Sequence, residues 1–340
     1  MMAQFLNPRR LVLKQVSILP WKQILRRNFT NINLLADFLQ LSNTQRLCLA
    51  TKPGFILNLP LRLAEKITKG SLEDPLFRQF VPTVDEAIIS SGFISDPVGD
   101  SSCRKASKLL HKYQGRVLLV CTSACAMHCR YCFRQNFDYA ITEKLFEEEL
   151  RLINDDPSIN EVILSGGDPL SLDDRILENL LTRLSTIPHI KKVRFHTRFP
   201  VGIPERIDTE FLTLLSSLPF QFWFVVHVNH PKELDHDVLT SLKAVQKLGI
   251  PVLNQFVLLR GINDDPDVLI ELCDILVNNG IYPYYMHQLD RVQGAAHFEV
   301  SEERGMELIQ IISKRLPGYA VPRYVKEISG MPGKTPIQLR

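Results

Sequence analysis

The sequence has no apolar run long enough to cross a bilayer. Its longest candidate, "FQFWFVVHV" (220–228), falls well short of the roughly 18 residues that a spanning helix needs. It has little excess charge of either sign. The net charge of +3 and pI near 8.4 are mild, and no clustered basic run marks a nucleic-acid footprint. It also lacks a leader pattern: "MMAQFLNPRRLVLKQVSILPWKQ" carries basic residues without a sustained apolar segment or a small-residue cleavage site. Finally, it lacks the even, dispersed cysteines of a disulfide framework, because it has seven and four of them crowd between Cys121 and Cys132. These absences lead to the expectation of a soluble cytoplasmic protein with neither a membrane nor a nucleic acid as partner.

What is present is apolar content, 45% of 340 residues, enough for one barrel-sized domain with a smaller extension. Residues 1–110 show no strong repeat. "NINLLADFLQL" and "LNLPLRLAEKITKG" read as short amphipathic helices, the second ending at Gly70, whereas "EDPLFRQFVPTVDE" and "SGFISDPVGDSS" read as loops. A mainly helical N-terminal region is expected there.

From Arg116 onward, β-branched runs alternate with helical patterns. The strand candidates are "RVLLVCT", "EVILSGG", "KVRFHTRF", "FQFWFVVHV", "PVLNQFVLLRG" and "YPYYMHQ". Helix candidates lie between them: "EKLFEEELRLIN", "LENLLTRLSTI", "TEFLTLLSSL", "HDVLTSLKAVQKLG" and "PDVLIELCDILVNNG". Such alternation implies a parallel sheet with helices outside. Six repeats predict an α/β fold, a partial, open-sided (β/α)6 TIM-like barrel over 111–316. Residues 317–340, beginning with the strand-like "GYAVPRYV", form a closing segment. In such barrels the chemistry gathers at the C-terminal ends of the strands. The cysteines and the motifs "SGGDP", "HTR", "HVNHP" and "HQLD" all fall there.

Cys125, Cys129 and Cys132 form a C-x3-C-x2-C triplet in the loop after the first barrel strand, with Tyr131 just before the last cysteine. A structural zinc site wants four ligands, usually as two pairs, and the second pair is missing unless Cys121 or His128 completes it. Three thiolates would instead hold one corner of an iron–sulfur cubane and leave one iron open. On the triplet alone, a cluster, a zinc site and incidental thiols all stay open. Cys48, Cys103 and Cys273 are isolated and read as ordinary thiols. "SGGDP", Ser165 to Pro169, is by itself a turn whose glycines allow close backbone approach. Lys334, in "SGMPGKTPI", is by itself a solvated charge, although the apolar run before it tethers the loop to the core.

The triplet followed by "SGGDP" at the end of the second strand resembles the radical S-adenosylmethionine (SAM) superfamily. More specifically, "HKYQGRVLLV…CRYCFR", "SGGDPL", "NHP", "LNQ-VLLRGIND", "YYMHQLDRVQGAAHF" and "GKTP" together resemble the lysine 2,3-aminomutase family. That resemblance implies a [4Fe–4S] cluster on Cys125, Cys129 and Cys132, with SAM on the open iron. Ser165, Gly166, Gly167 and Asp168 would lie against SAM. It also implies pyridoxal 5′-phosphate (PLP) on Lys334 as a Schiff base, with Tyr113, Arg116 and, more weakly, Gln255 in the same pocket. Arg134 would clamp the carboxylate of L-lysine, and Asp290 and Glu327 would take its distal ammonium. Glu327 departs from the aspartate usual in the catabolic members, and Lys112 departs from their arginine. His230 would either line the SAM pocket or be a satisfied strand-end histidine, and Cys121 becomes a spectator.

The implied reaction moves an amino group from C2 to C3. It needs a one-electron reductant and a 5′-deoxyadenosyl radical, because no acid–base side chain removes an unactivated hydrogen. The short form with "LD-VQGAAHF" resembles the members that make β-lysine for modification of elongation factor P by its lysyl-ligase. A homo-oligomer is compatible with all this. Two rival readings are an aminomutase for another amino acid and a zinc-stabilised binding module.

Overall fold

The computed structural model describes residues 19–139 and 145–338. Ten strands form one sheet in sequence order. They are β1 (Arg104–Ala106), β2 (Leu109–Tyr113), β3 (Arg116–Thr122), β4 (Glu161–Gly166), β5 (Lys192–Thr197), β6 (Gln221–His227), β7 (Val252–Val257), β8 (Tyr282–His287), β9 (Arg323–Lys326) and β10 (Thr335–Pro336). The six expected strands are β3 to β8. All neighbours from β3 to β9 pair in parallel, and antiparallel ribbons β1–β2–β3 and β9–β10 finish the two sides. Among the described residues β1 and β10 do not pair with each other, so the barrel is open-sided.

Burial explains the apolar density of the central strands. In β6 the consecutive residues Phe224, Val225 and Val226 are all fully buried, as expected of a parallel strand covered on both faces. The crossover helices start where a short polar side chain can accept from free backbone N–H groups. Asp173, Asp208, Asp235, Asp265 and Ser301 each cap the helix that follows. Each such cap stabilises its helix by ~1 kcal/mol.

Three expectations are corrected. "EDPLFRQFVPTVDE" is not a loop: it holds helix Pro75–Phe80 and a 3-10 turn at Val84–Ala87. Asp74 caps that helix and Pro75 occupies its first turn, where the missing N–H costs nothing. The N-terminal region, expected to be mainly helical, also holds β1 and the first two residues of β2, Leu109 and Leu110. The second amphipathic helix ends at Lys66, and Gly70, at φ +65°, belongs to the following turn. The start of "EKLFEEELRLIN" lies outside the described residues, and its helix is seen from Glu147.

The N-terminal layer shares the barrel's hydrophobic core. Trp21, Leu35, Phe77 and Phe80 pack in one cluster with Leu119, Phe195 and Phe224. This matters for the site, because the layer also braces the cysteine loop. Asn58 donates to the Cys125 carbonyl at 3.0 Å and Asn28 to the Ala126 carbonyl at 2.7 Å. Buried Arg130 pairs with Glu86 and donates to the Phe55 carbonyl at 2.7 Å.

Candidate active site

A cavity of about 460 Å³ opens at the C-terminal ends of the parallel strands. It is lined by Cys125, Cys129, Cys132, Arg134, Ser165, Gly166, Gly167 and Asp168. Tyr113, Arg116, Gln255, Asp290, Glu327 and Lys334 line it as well. Residues spread over more than two hundred positions of sequence therefore face one space. Two candidates do not. His128 stacks on Phe55 and uses its Nδ1 on the Ile56 carbonyl at 2.8 Å, while His230 Nδ1 accepts from the Lys232 N–H at 3.1 Å. Cys121 is buried in the core with its thiol pushed up to about 12 by burial. Cys48 is exposed, Cys103 half-buried and Cys273 buried.

The three triplet cysteines are half-buried and unbridged. Burial, reinforced by neighbouring thiols, pushes Cys132 up to about 11 and Cys125 well above the ordinary thiol range. Cys125 and Cys132 therefore become thiolates when a metal replaces their protons. Among the described residues, no three His, Cys, Asp or Glu side chains are gathered as ligands of a single ion. A cubane asks for a different arrangement, one thiolate to each of three irons.

The Gly-Gly turn is held against the loop that carries the cysteines. Gly167 N–H donates to the Thr122 carbonyl at 2.7 Å and Asp168 N–H to the Ala124 carbonyl at 2.8 Å. A Cβ at Gly167 would stand 2.4 Å from the Ala124 oxygen, so only glycine allows this approach. Asp168, expected beside SAM, lines the cavity, and its carboxylate is also held inside the protein. It accepts from Thr197 Oγ1 and from the backbone N–H groups of Leu170, Arg198 and Phe199, tying the end of β4 to that of β5.

Arg198, at the end of β5, reaches the cysteine loop. Its Nη1 donates to Cys129 Sγ at 2.9 Å and to the Tyr131 hydroxyl. Its Nη2 donates to Glu233 Oε2 and Gln79 Oε1, each at 2.6 Å. Asn229 completes this buried network with donations to Tyr131 and Gln79.

The cavity wall also carries a chain of alternating charges. Arg134 Nε donates to Asp100 Oδ2 at 2.8 Å, and Asp100 Oδ1 lies 3.9 Å from Lys112 Nζ. Lys112 Nζ is 3.0 Å from Glu327 Oε1, and Lys334 Nζ donates to Glu327 Oε2 at 3.3 Å. Tyr113, expected beside a cofactor, donates its hydroxyl to Glu327, and Arg116 stacks on its ring. Burial raises the Glu327 carboxyl, but Lys334, Tyr113 and Lys112 outweigh it and hold the group below the usual range. Burial dominates at Lys334, whose amine is lowered despite Glu327 and Asp290. Burial also pushes Asp290 up to about 7, with Lys334 opposing and Glu327 reinforcing the shift.

Sequence reasoning missed Asp100 and three histidines, His196, His227 and His287, that line the cavity from β5, β6 and β8. Burial keeps all three neutral, His227 down to about 3 and the others well below the ordinary range. Their strand-end position was the available signal. Two buried polar atoms in the cavity wall, Gln255 Oε1 and His287 Nε2, have no protein partner among the described residues. A polar ligand would satisfy them. With the lowered Lys334 amine and Arg116 lining the same cavity, the chemistry of these groups is compatible with a cofactor carrying an aldehyde and a phosphate.

Comparison with known proteins decides the family. Residues 119–273 match the model of the radical SAM superfamily. The chain is 39% identical over 294 residues to the L-lysine 2,3-aminomutase of Escherichia coli K12, covering 86% of each protein. It is 39% identical to that of Haemophilus influenzae, covering 93% of this chain and 94% of the relative. The chain belongs to the lysine 2,3-aminomutase family of radical SAM enzymes. The family member named L-lysine 2,3-aminomutase from Clostridium subterminale is 35% identical over 78% of this chain, which spans 64% of that longer protein. The protein is therefore a radical SAM aminomutase, and family membership implies a [4Fe–4S] cluster with SAM. Among the described residues, no helix is long and apolar enough to cross a membrane.

Proposed function

We propose that the protein converts L-α-lysine to β-lysine, with PLP on Lys334 and the cluster on Cys125, Cys129 and Cys132. The observation that carries this reading is the shared cavity, whose lining includes a lowered lysine amine, two acidic groups and the cysteine triplet. The cluster with SAM supplies an organic radical, and PLP supplies a conjugated ring that delocalises an unpaired electron during nitrogen migration.

The chain's own residues bind, orient and shield. Arg134 already commits Nε to Asp100 and Nη1 in part to Ser165, so its guanidinium is fixed before substrate arrives. Its terminal N–H groups then form the fork for the amino-acid carboxylate. Asp290 and Glu327 take the distal ammonium, which favours a cationic amino acid over other substrates. Lys112 and Tyr113 hold Glu327 in place. Arg116 supplies a fixed cation for the cofactor's phosphate. Phe133, Tyr284 and Tyr285 wall the cavity and keep water from the reacting atoms.

The similarity of "LD-VQGAAHF" supports β-lysine destined for elongation factor P through its lysyl-ligase. Clustered, unbridged thiols support a reducing cytoplasm as the setting. The test is to load the purified protein with iron, sulfide, SAM and PLP without oxygen, and to add reductant with a panel of amino acids. Turnover of L-lysine alone to its β-isomer supports the reading, and turnover of a different amino acid in its place refutes it.

A further inference from the structure

The buried guanidinium of Arg198 has two faces with different duties. One edge is taken by Glu233 Oε2 and Gln79 Oε1, and the other reaches Cys129 Sγ and the Tyr131 hydroxyl. The ring of Phe80 lies 4.7 Å from its central carbon. Glu233 is fully buried and is itself fixed by the backbone N–H groups of Asn229 and His230, each at 3.0 Å. A salt bridge serving stability alone would need only the Glu233 edge. Among the described residues, Cys129 is the one member of the triplet whose sulfur accepts a hydrogen bond from a charged side chain.

On the reading that the triplet holds a cluster, we propose that Arg198 is a positioning residue that sets the cluster's reduction potential through its hydrogen bond to Cys129. Taking up an electron adds negative charge to the irons and their thiolates. A cation bonded to one of those sulfurs stabilises the reduced form more than the oxidised one and raises the potential. In a buried, low-dielectric setting that preference is strong. Glu233 tempers it by pairing with the same cation from behind. Gln79 comes from the N-terminal layer, so that layer helps to hold the tuning group in place.

The test is an EPR-monitored redox titration of the reconstituted chain without PLP, SAM or lysine, so that turnover plays no part. R198K keeps the charge beside Glu233, but a single ammonium cannot span from Glu233 to the sulfur. The reduced-to-oxidised ratio at the wild-type midpoint should fall about tenfold, a shift of ~59 mV for one electron. E233Q removes the tempering anion and should move the midpoint in the opposite direction. If R198K does not retain its cluster, the upward shift of E233Q carries the proposal and its absence overturns it. Full clusters with unchanged midpoints in both variants overturn the proposal alone. A wild-type chain that assembles no four-iron cluster overturns the cluster reading on which it rests.

Discussion

Lys334 Nζ donates to Glu327 Oε2 at 3.3 Å, while the other oxygen of that carboxylate takes Lys112 and Tyr113. The candidate Schiff-base lysine thus sits, in the ligand-free protein, on a carboxylate proposed to receive the substrate's ammonium. A carbonyl cofactor held by Lys334 would draw this nitrogen away from Glu327 and free that oxygen for a new cation. Lys334→Ala should abolish the visible PLP absorbance and turnover while leaving iron and sulfide content unchanged. Retention of a full PLP band in the variant would contradict the assignment.

The shift of Asp290 to about 7 yields a pH dependence with a definite sign. Only the anion pairs with an ammonium, so KM for L-lysine should fall as pH rises through about 7. Asp290→Asn should remove that dependence and raise KM at about pH 8 by roughly tenfold or more, the loss of a charged hydrogen bond worth ~1.5–3 kcal/mol. Stability moves the other way. The folded chain binds this proton more tightly than the unfolded chain, so the contribution of Asp290 is lost as pH rises towards its folded value. Thermal melts of the ligand-free protein should show Asp290→Asn gaining on the wild type between about pH 4 and 7, with no further gain above.

Gly167 is required by contact. An added Cβ meets the Ala124 carbonyl oxygen at 2.4 Å and the Thr122 carbonyl oxygen at 2.8 Å, backbone atoms that no rotamer change can move aside. Gly167→Ala should therefore push the cysteine loop outward, destabilise the fold by ~1–3 kcal/mol and lower iron retention. Denaturant melts and iron analysis check both effects.

The strands and the crossover helices were legible because their periodicity and Asp caps are local signals. The helix Pro75–Phe80 was misread although Asp74 and Pro75 are themselves a start signal, because the flanking Pro and Asp residues resembled loop chemistry. The triplet, the Gly-Gly turn and Lys334 were legible through motifs. The roles of Asp100 and Arg198 were not, since each depends on partners from distant segments: Arg134 for one, Gln79, Cys129 and Glu233 for the other. Asp168 has a second duty that only the structure reveals. Its place in a motif suggested a ligand contact, and its hydrogen bonds add a brace between two strands.

The central claim, migration of nitrogen from C2 to C3 of lysine, is tested most directly by isotope coupling. L-lysine labelled with 15N at the α-amino group and 13C at C3 is incubated with the fully reconstituted protein and reductant, and the product is read by NMR. The account predicts a one-bond 13C–15N coupling in β-lysine. Accumulation of 5′-deoxyadenosine with the label still on C2 would contradict it.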